Sequence, residues 1–86
     1  MLHVFKSEEE KFVAAAREGR IKDVRKRLEK VNIDYKDNEH HWTALMVAAI
    51  GSHQELVEFL ISRGANEDIE SGAGMTALIW AAFLGH

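Results

Sequence analysis

The phrase TALMVAAIGSH at residues 43–53 returns as TALIWAAFLGH at 76–86, a spacing of 33 residues. Six of the eleven positions are identical, among them the Ala-Ala pair and the closing His. A fixed period of this length constrains a fold strongly, because each copy must be a unit that buries its apolar side on a neighbour. Carried back to residues 10–31, the register brings Ala15-Ala16 onto Ala48-Ala49 and Ala81-Ala82, and Phe12 onto Leu45 and Leu78. Val24 falls on Val57, Leu28 on Ile61, and Gly19 on Ser52 and Gly85. The positions that recur are largely the apolar ones.

Within a unit the apolar spacing is helical. Leu45, Ala48 and Ala49 stand at i, i+3, i+4, and Leu56, Val57, Leu60 and Ile61 repeat the pattern in a second helix. Ser52 and Glu55 between them have the spacing of a capping box, as do Ser7 and Glu10 before the first helix. Gly64 stands where a left-handed C-cap belongs, and SGAGM at 71–75 reads as a turn. The expected helices are 7–17, 21–30, 43–50, 53–62 and 76–84, each unit being helix, tight turn, helix and hairpin-like loop. Helices shorter than ~12–15 residues are marginal alone, so each must pack on its neighbours. The alanine pairs, with one methyl group each, let the backbones approach. The fold class is all-α.

Composition removes several functions. Chains of this size bury only roughly 60–65% of their unfolded surface, enough for one small domain. A hydrophobic share of 47% with 29% charged residues is that of a globular chain. The net charge of −3 gives no electrostatic footprint for nucleic acid or an anionic membrane. Without cysteine there are no disulfides and no thiolate metal sites, which accords with an intracellular setting, cytoplasmic or nuclear. The N-terminus has no run apolar enough for a signal peptide, and nothing approaches the ~18 apolar residues of a membrane span.

Catalytic and metal motifs are equally sparse. There is no GxSxG, no phosphate loop and no His-x3-His on a helix. His40 and His41 are adjacent, so on an extended loop they point to opposite sides and do not chelate together. The acidic run Glu8-Glu9-Glu10 suits the first turn of a helix, and RKRLEK at 25–30 reads as a mixed-charge face beside Glu18, Asp23 and Glu29. No enzyme, cofactor or metal is expected.

Thr43 to Ala49, Ser52-His53 and Gly64-Ala65 together resemble the ankyrin repeat, whose consensus opens T-P-L-H-x-A-A and closes its first helix with G-H. Thr76 to His86 resembles it again. Ala44 and Ala77 replace the consensus proline, Met46 and Ile79 the first histidine, and Glu10 the threonine of the first unit. Thr43 and Thr76 remain able to cap. The resemblance implies a single domain over 1–86, with repeat one at about 7–37, repeat two at about 38–70 and a partial repeat three at about 71–86. It also implies that His53 and His86 are structural, tying the helix turn to the next loop.

Asp23, Lys26 and Arg27 stand where repeat two has Leu56, Phe59 and Leu60, the change a terminal capping repeat needs on its outer face. Repeat one therefore reads as the start of the array. Repeat three reads as cut short, with Leu78, Ile79, Trp80, Phe83 and Leu84 left for self-association or for a longer chain. The implied function is binding a protein partner, without nucleic acid or membrane, through loop tips and the concave face of the first helices. By position these hold Glu39, His40, Trp42 and Met75 in the loops, and Arg17, Ile50 and Phe83 on the helices. Trp42 is equally placed to staple its loop onto Met75. The alternative is a regulatory or scaffolding segment of a larger signalling, channel or enzyme polypeptide.

Overall fold

Each described helix starts or stops on a hydrogen bond whose residues are identifiable. A computed structural model describes residues 7–71 and residue 76. Among them are four helices, α1 (Glu8–Arg17), α2 (Ile21–Leu28), α3 (Ala44–Ile50) and α4 (Gln54–Ser62), and no strand. The helix expected at 76–84 falls almost wholly outside the described residues, as do Met75 and Phe83.

Ser7 Oγ caps α1 by accepting the Glu10 N–H at 3.1 Å, with Glu8, Glu9 and Glu10 in the first turn and Arg17 in the last, as the helix dipole favours. Only half of the expected capping box forms. The Glu10 carboxylate turns to the following loop, where it accepts from the Tyr35 hydroxyl and, at 3.2 Å, from the Asn38 N–H. Thr43 caps α3 by accepting from the Met46 N–H at 3.2 Å. The Met46 sulfur accepts from the Thr43 N–H in return, at 3.5 Å.

Three helices end on the same device. The N–H of Arg20, His53 and Ala65 each bonds back five residues, to the carbonyls of Ala15, Ala48 and Leu60, at 3.0, 2.9 and 3.0 Å. The residue before each is left-handed: Gly19 at φ 72°, Ser52 at 59° and Gly64 at 93°. This corrects the sequence expectation for Ser52. It does not cap α4 with Glu55; it closes α3, and His53, the residue before α4, makes no side-chain cap. The N-cap spacing is there in letters, but the backbone places Ser52 in a glycine's role.

Packing follows the repeat. α1 lies against both α2 and α3, and α3 against α4. Ala15, Ala16 and Ala48 are fully buried and Ala49 nearly so, so the first helices meet through methyl groups. Around them Phe12, Val13, Leu45, Met46, Leu56 and Leu60 form the core. Six of the seven residues of α3 are buried, against one of eight in α2. On α2 the swapped positions are not simply solvated: Arg27 bonds Asp23 at 2.9 Å and Glu8 at 3.0 Å, all three partly exposed.

His53 joins the two helix pairs, in the reverse of the expected direction. Its Nε2–H donates to the Arg17 carbonyl at 3.0 Å, at the end of α1. A Cβ on Gly19 would stand 2.5 Å from the ring, and one on Gly51 would stand 2.7 Å from it. The imidazole therefore fills a slot that two glycines leave open, and it ties its turn to the preceding unit. Below it, the Asn66 N–H donates to Asp34 at 2.8 Å and brings the two long loops together.

Candidate functional site

The edge built from loop 31–42 is organised by one carboxylate. Asp37 is 3% exposed. Its Oδ1 accepts the N–H groups of His40 and Trp42, both at 3.0 Å, while Oδ2 accepts from Arg17 Nη2 at 3.0 Å. Its own backbone closes the loop, Asp37 N–H to the Trp42 carbonyl at 2.9 Å and His41 N–H to the Asp37 carbonyl at 3.0 Å. Burial opposes ionisation of this group. The N–H donors of Trp42 and His40 and the Arg17 guanidinium outweigh it and hold the pKa below the usual carboxylate value. The result is a tip whose backbone is fixed before any ligand arrives.

That backbone presents an aromatic pair. His40 stacks on Trp42 with ring centroids 4.5 Å apart and an interplanar angle of 29°. The His40 side chain is 45% exposed, with Glu39 Oε1 3.5 Å from its Nε2. Trp42 is half-buried against the core. His41 adopts φ 58°, so the loop is not extended there and the two histidines part at a turn. Behind the tip, Tyr35 reaches Glu10. That hydrogen bond, with burial and the charges of Glu10 and Glu9, raises the phenol's pKa.

Of the residues singled out from sequence, the structure brings Arg17, His40 and Trp42 together around Asp37, with Glu39 beside them. Arg17 is committed to Asp37, although its side chain remains 43% exposed. Ile50 is half-buried at the end of α3, in register with Arg17. Met75 and Phe83 lie outside the described residues, so the Trp42–Met75 staple does too. Sequence reasoning missed Asp37, whose partners are backbone groups and an arginine twenty residues earlier.

Nothing nearby is arranged for catalysis or for a small molecule. A cleft of about 440 Å³ between α1 and α2 is lined entirely by charged residues, with Glu8 and Arg27 paired across it. Ligand pockets are mostly apolar, so this cleft is not one. Among the described residues no group of three or more His, Cys, Asp or Glu is placed to hold a metal. No helix among them is long and apolar enough to cross a membrane.

The repeating caps, the alanine contacts and the stitched turns find their counterpart in a family model. The model for ankyrin repeats, in three copies, matches residues 12–86. The chain belongs to the ankyrin-repeat family. The ankyrin repeat is a general protein-interaction module and is generally non-catalytic. Curated relatives agree. The human NAD-capped RNA hydrolase NUDT12 is 43% identical over 49 residues, 57% of this chain and 11% of its own length. The ankyrin repeat and KH domain-containing protein mask of Drosophila melanogaster is 48% identical over 46 residues, 54% of this chain and 1% of its own. Dauer abnormal formation protein 25 of Caenorhabditis elegans is 36% identical over 74 residues, 85% of this chain and 19% of its own. The chain thus spans under a fifth of these relatives, and the likeness to NUDT12 falls on its ankyrin part alone.

Proposed function

We propose that this ankyrin-repeat domain binds a protein partner through its loop edge and the exposed side of the first helices, with His40 and Trp42 as the central contact. The observation that carries this reading is the stacked pair, raised on a loop that Asp37 locks from beneath. A rigid aromatic contact loses little conformational freedom on binding, which is why such residues dominate interface energetics. Glu39 and Ile50 extend the contact on either side, and Arg17 frames it while holding Asp37. Met75 and Phe83 belong to the same proposal by their place in the repeat.

A second reading follows from proportion. In the relatives the matching segment is a small part of a much longer protein. We infer that the domain equally suits a positioning or regulatory role toward such a neighbour, through the same edge.

The test begins with a partner recovered by affinity capture and identified. Its affinity is then measured for the wild type and for two variants by calorimetry. Trp42→Ala is expected to weaken binding by about 1–2 kcal/mol, while Gln54→Ala, exposed at the start of α4, leaves it unchanged. Circular dichroism on each variant separates lost affinity from lost fold. A partner that ignores Trp42 but responds to Gln54 sinks the loop-edge reading.

A further inference from the structure

In sequence, the cations of residues 20–30 are interleaved with acids and read as a mixed-charge face. The structure sorts them. This stretch holds six cations and two acids, whereas the other described residues hold four cations and twelve acids. Asp23 is taken up by Arg27 and Arg20, and Glu18 also by Arg20. What remains is a surface of exposed Lys22, Arg25 and Lys26 on α2 and Lys30 in the turn just after it, joined by Arg63 at the end of α4. Among the described residues none of these five makes an ion pair, although Lys11, Arg17, Arg20 and Arg27 all do.

Two of the five are held in a particular way. The guanidinium of Arg25 lies 5.1 Å from the centroid of the Phe59 ring, and that of Arg63 lies 5.6 Å from it. The attraction draws on the charge of the guanidinium, and neither arginine spends the N–H groups that lie in its plane on an ion pair among the described residues. That plane is the one in which an arginine forks a carboxylate. At 100° per residue, Lys22 and Lys26 stand about 40° apart on α2, opposite the buried Val24 and next to the Arg25 side.

We infer that this helical back face, away from the aromatic loop edge, is a second docking surface, and that its occupant is a carboxylate-rich segment of a protein partner. Charge complementarity selects the occupant. Exposed Glu29 caps the end of α2, and exposed Glu55 and Glu58 lie on α4, so a long nucleic-acid backbone or a flat anionic membrane laid across them meets repulsion. A short acidic peptide spanning the roughly 12 Å of α2 does not.

The experiment uses the 86-residue chain and a fluorescein-labelled oligoglutamate peptide, read by anisotropy in about 20 mM and about 200 mM salt. Binding is expected at low salt and falls as salt rises. Arg25→Glu combined with Arg63→Glu weakens it by about tenfold or more. Lys36→Glu combined with Asn32→Asp and Asn38→Asp makes the same change in net charge on the exposed loop and shifts it by less than about twofold. Should the first pair fail to fold by circular dichroism, Lys22→Gln with Lys26→Gln replaces it, with a loss of about threefold expected. Four results overturn the proposal. They are no binding at low salt, equal losses from the Arg25/Arg63 change and the loop control, tighter binding of a thymidine oligonucleotide of equal charge, and low-salt self-association relieved by the Arg25/Arg63 change. The last two would assign the face to nucleic acid or to a second copy.

Discussion

The helix pairs α1–α2 and α3–α4 share a backbone plan and divide their chemistry differently. Both turn between helices through a left-handed residue followed by a back-bonded N–H. In the first turn that residue is Gly19, and the His53 ring occupies the space a side chain would need. In the second it is Ser52, an L-residue that bears the cost of the left-handed conformation. The second helices differ more. In α4 the positions of Leu56 and Leu60 are buried and apolar, while α2 fills them with an Asp23–Arg27 pair that reaches Glu8. The plan thus rests on hydrogen bonds and a shared core, and the outer faces are free to vary.

The largest expected effect breaks the first turn. Gly19→Ala places a Cβ 2.5 Å from the His53 ring at positive φ, and should destabilise the chain by about 2–4 kcal/mol in urea melts. Adding His53→Ala should return the steric part of that loss but not the backbone part. If the two changes simply add, the ring is not what Gly19 accommodates.

Removing the junction carboxylate comes next. Asp37→Ala leaves the N–H groups of His40 and Trp42 without their acceptor and should cost about 2–3 kcal/mol near neutral pH. Because the folded Asp37 pKa lies below its ordinary value of 3.8, its contribution is complete above that value and is lost as pH falls through the folded pKa. Unfolding midpoints measured down the acid range should therefore show wild type and variant converging. A gap that stays constant to the lowest pH would mean the carboxylate charge is not involved.

Overpacking the alanine contact should follow, at about 1–3 kcal/mol for Ala48→Leu. Ala15→Leu, its counterpart on α1, is equally buried and should behave alike. A neutral Ala48→Leu would contradict close approach of α1 and α3. The smallest effect has the opposite sign. Ser52→Gly relieves the left-handed strain of the second turn and should raise stability by up to about 1 kcal/mol. No gain, or a loss, would show that the serine side chain compensates for its backbone.

Much of this plan was legible in the sequence, and its failures are instructive. The period placed the four described helices to within two residues because burial repeats with the alanines, and Gly64 announced its own cap. Ser52 misled because its spacing to Glu55 imitates a capping box. The same alignment that set Ser52 against Gly19 had already named its true role, and the long-range register outweighs the local spacing. Asp37 was invisible because no pattern of residue types marks a carboxylate that serves backbone N–H groups. On the back face the sequence shows interleaved charges but not which of them pair, as Asp23 does with Arg20 and Arg27.

The stitches between units have a direction with a bearing on synthesis. His53 reaches back to Arg17, Asn66 to Asp34, and Asp37 to Arg17, so each unit is completed by residues that lie later in the chain. A chain growing from its N-terminus therefore exposes α1 with its last turn unfinished until residue 53 has been added. Ordering then passes forward with elongation, each new turn sealing the one before. A chain held before His53 has emerged from the ribosome would keep its first joint open, a natural moment for a chaperone to engage.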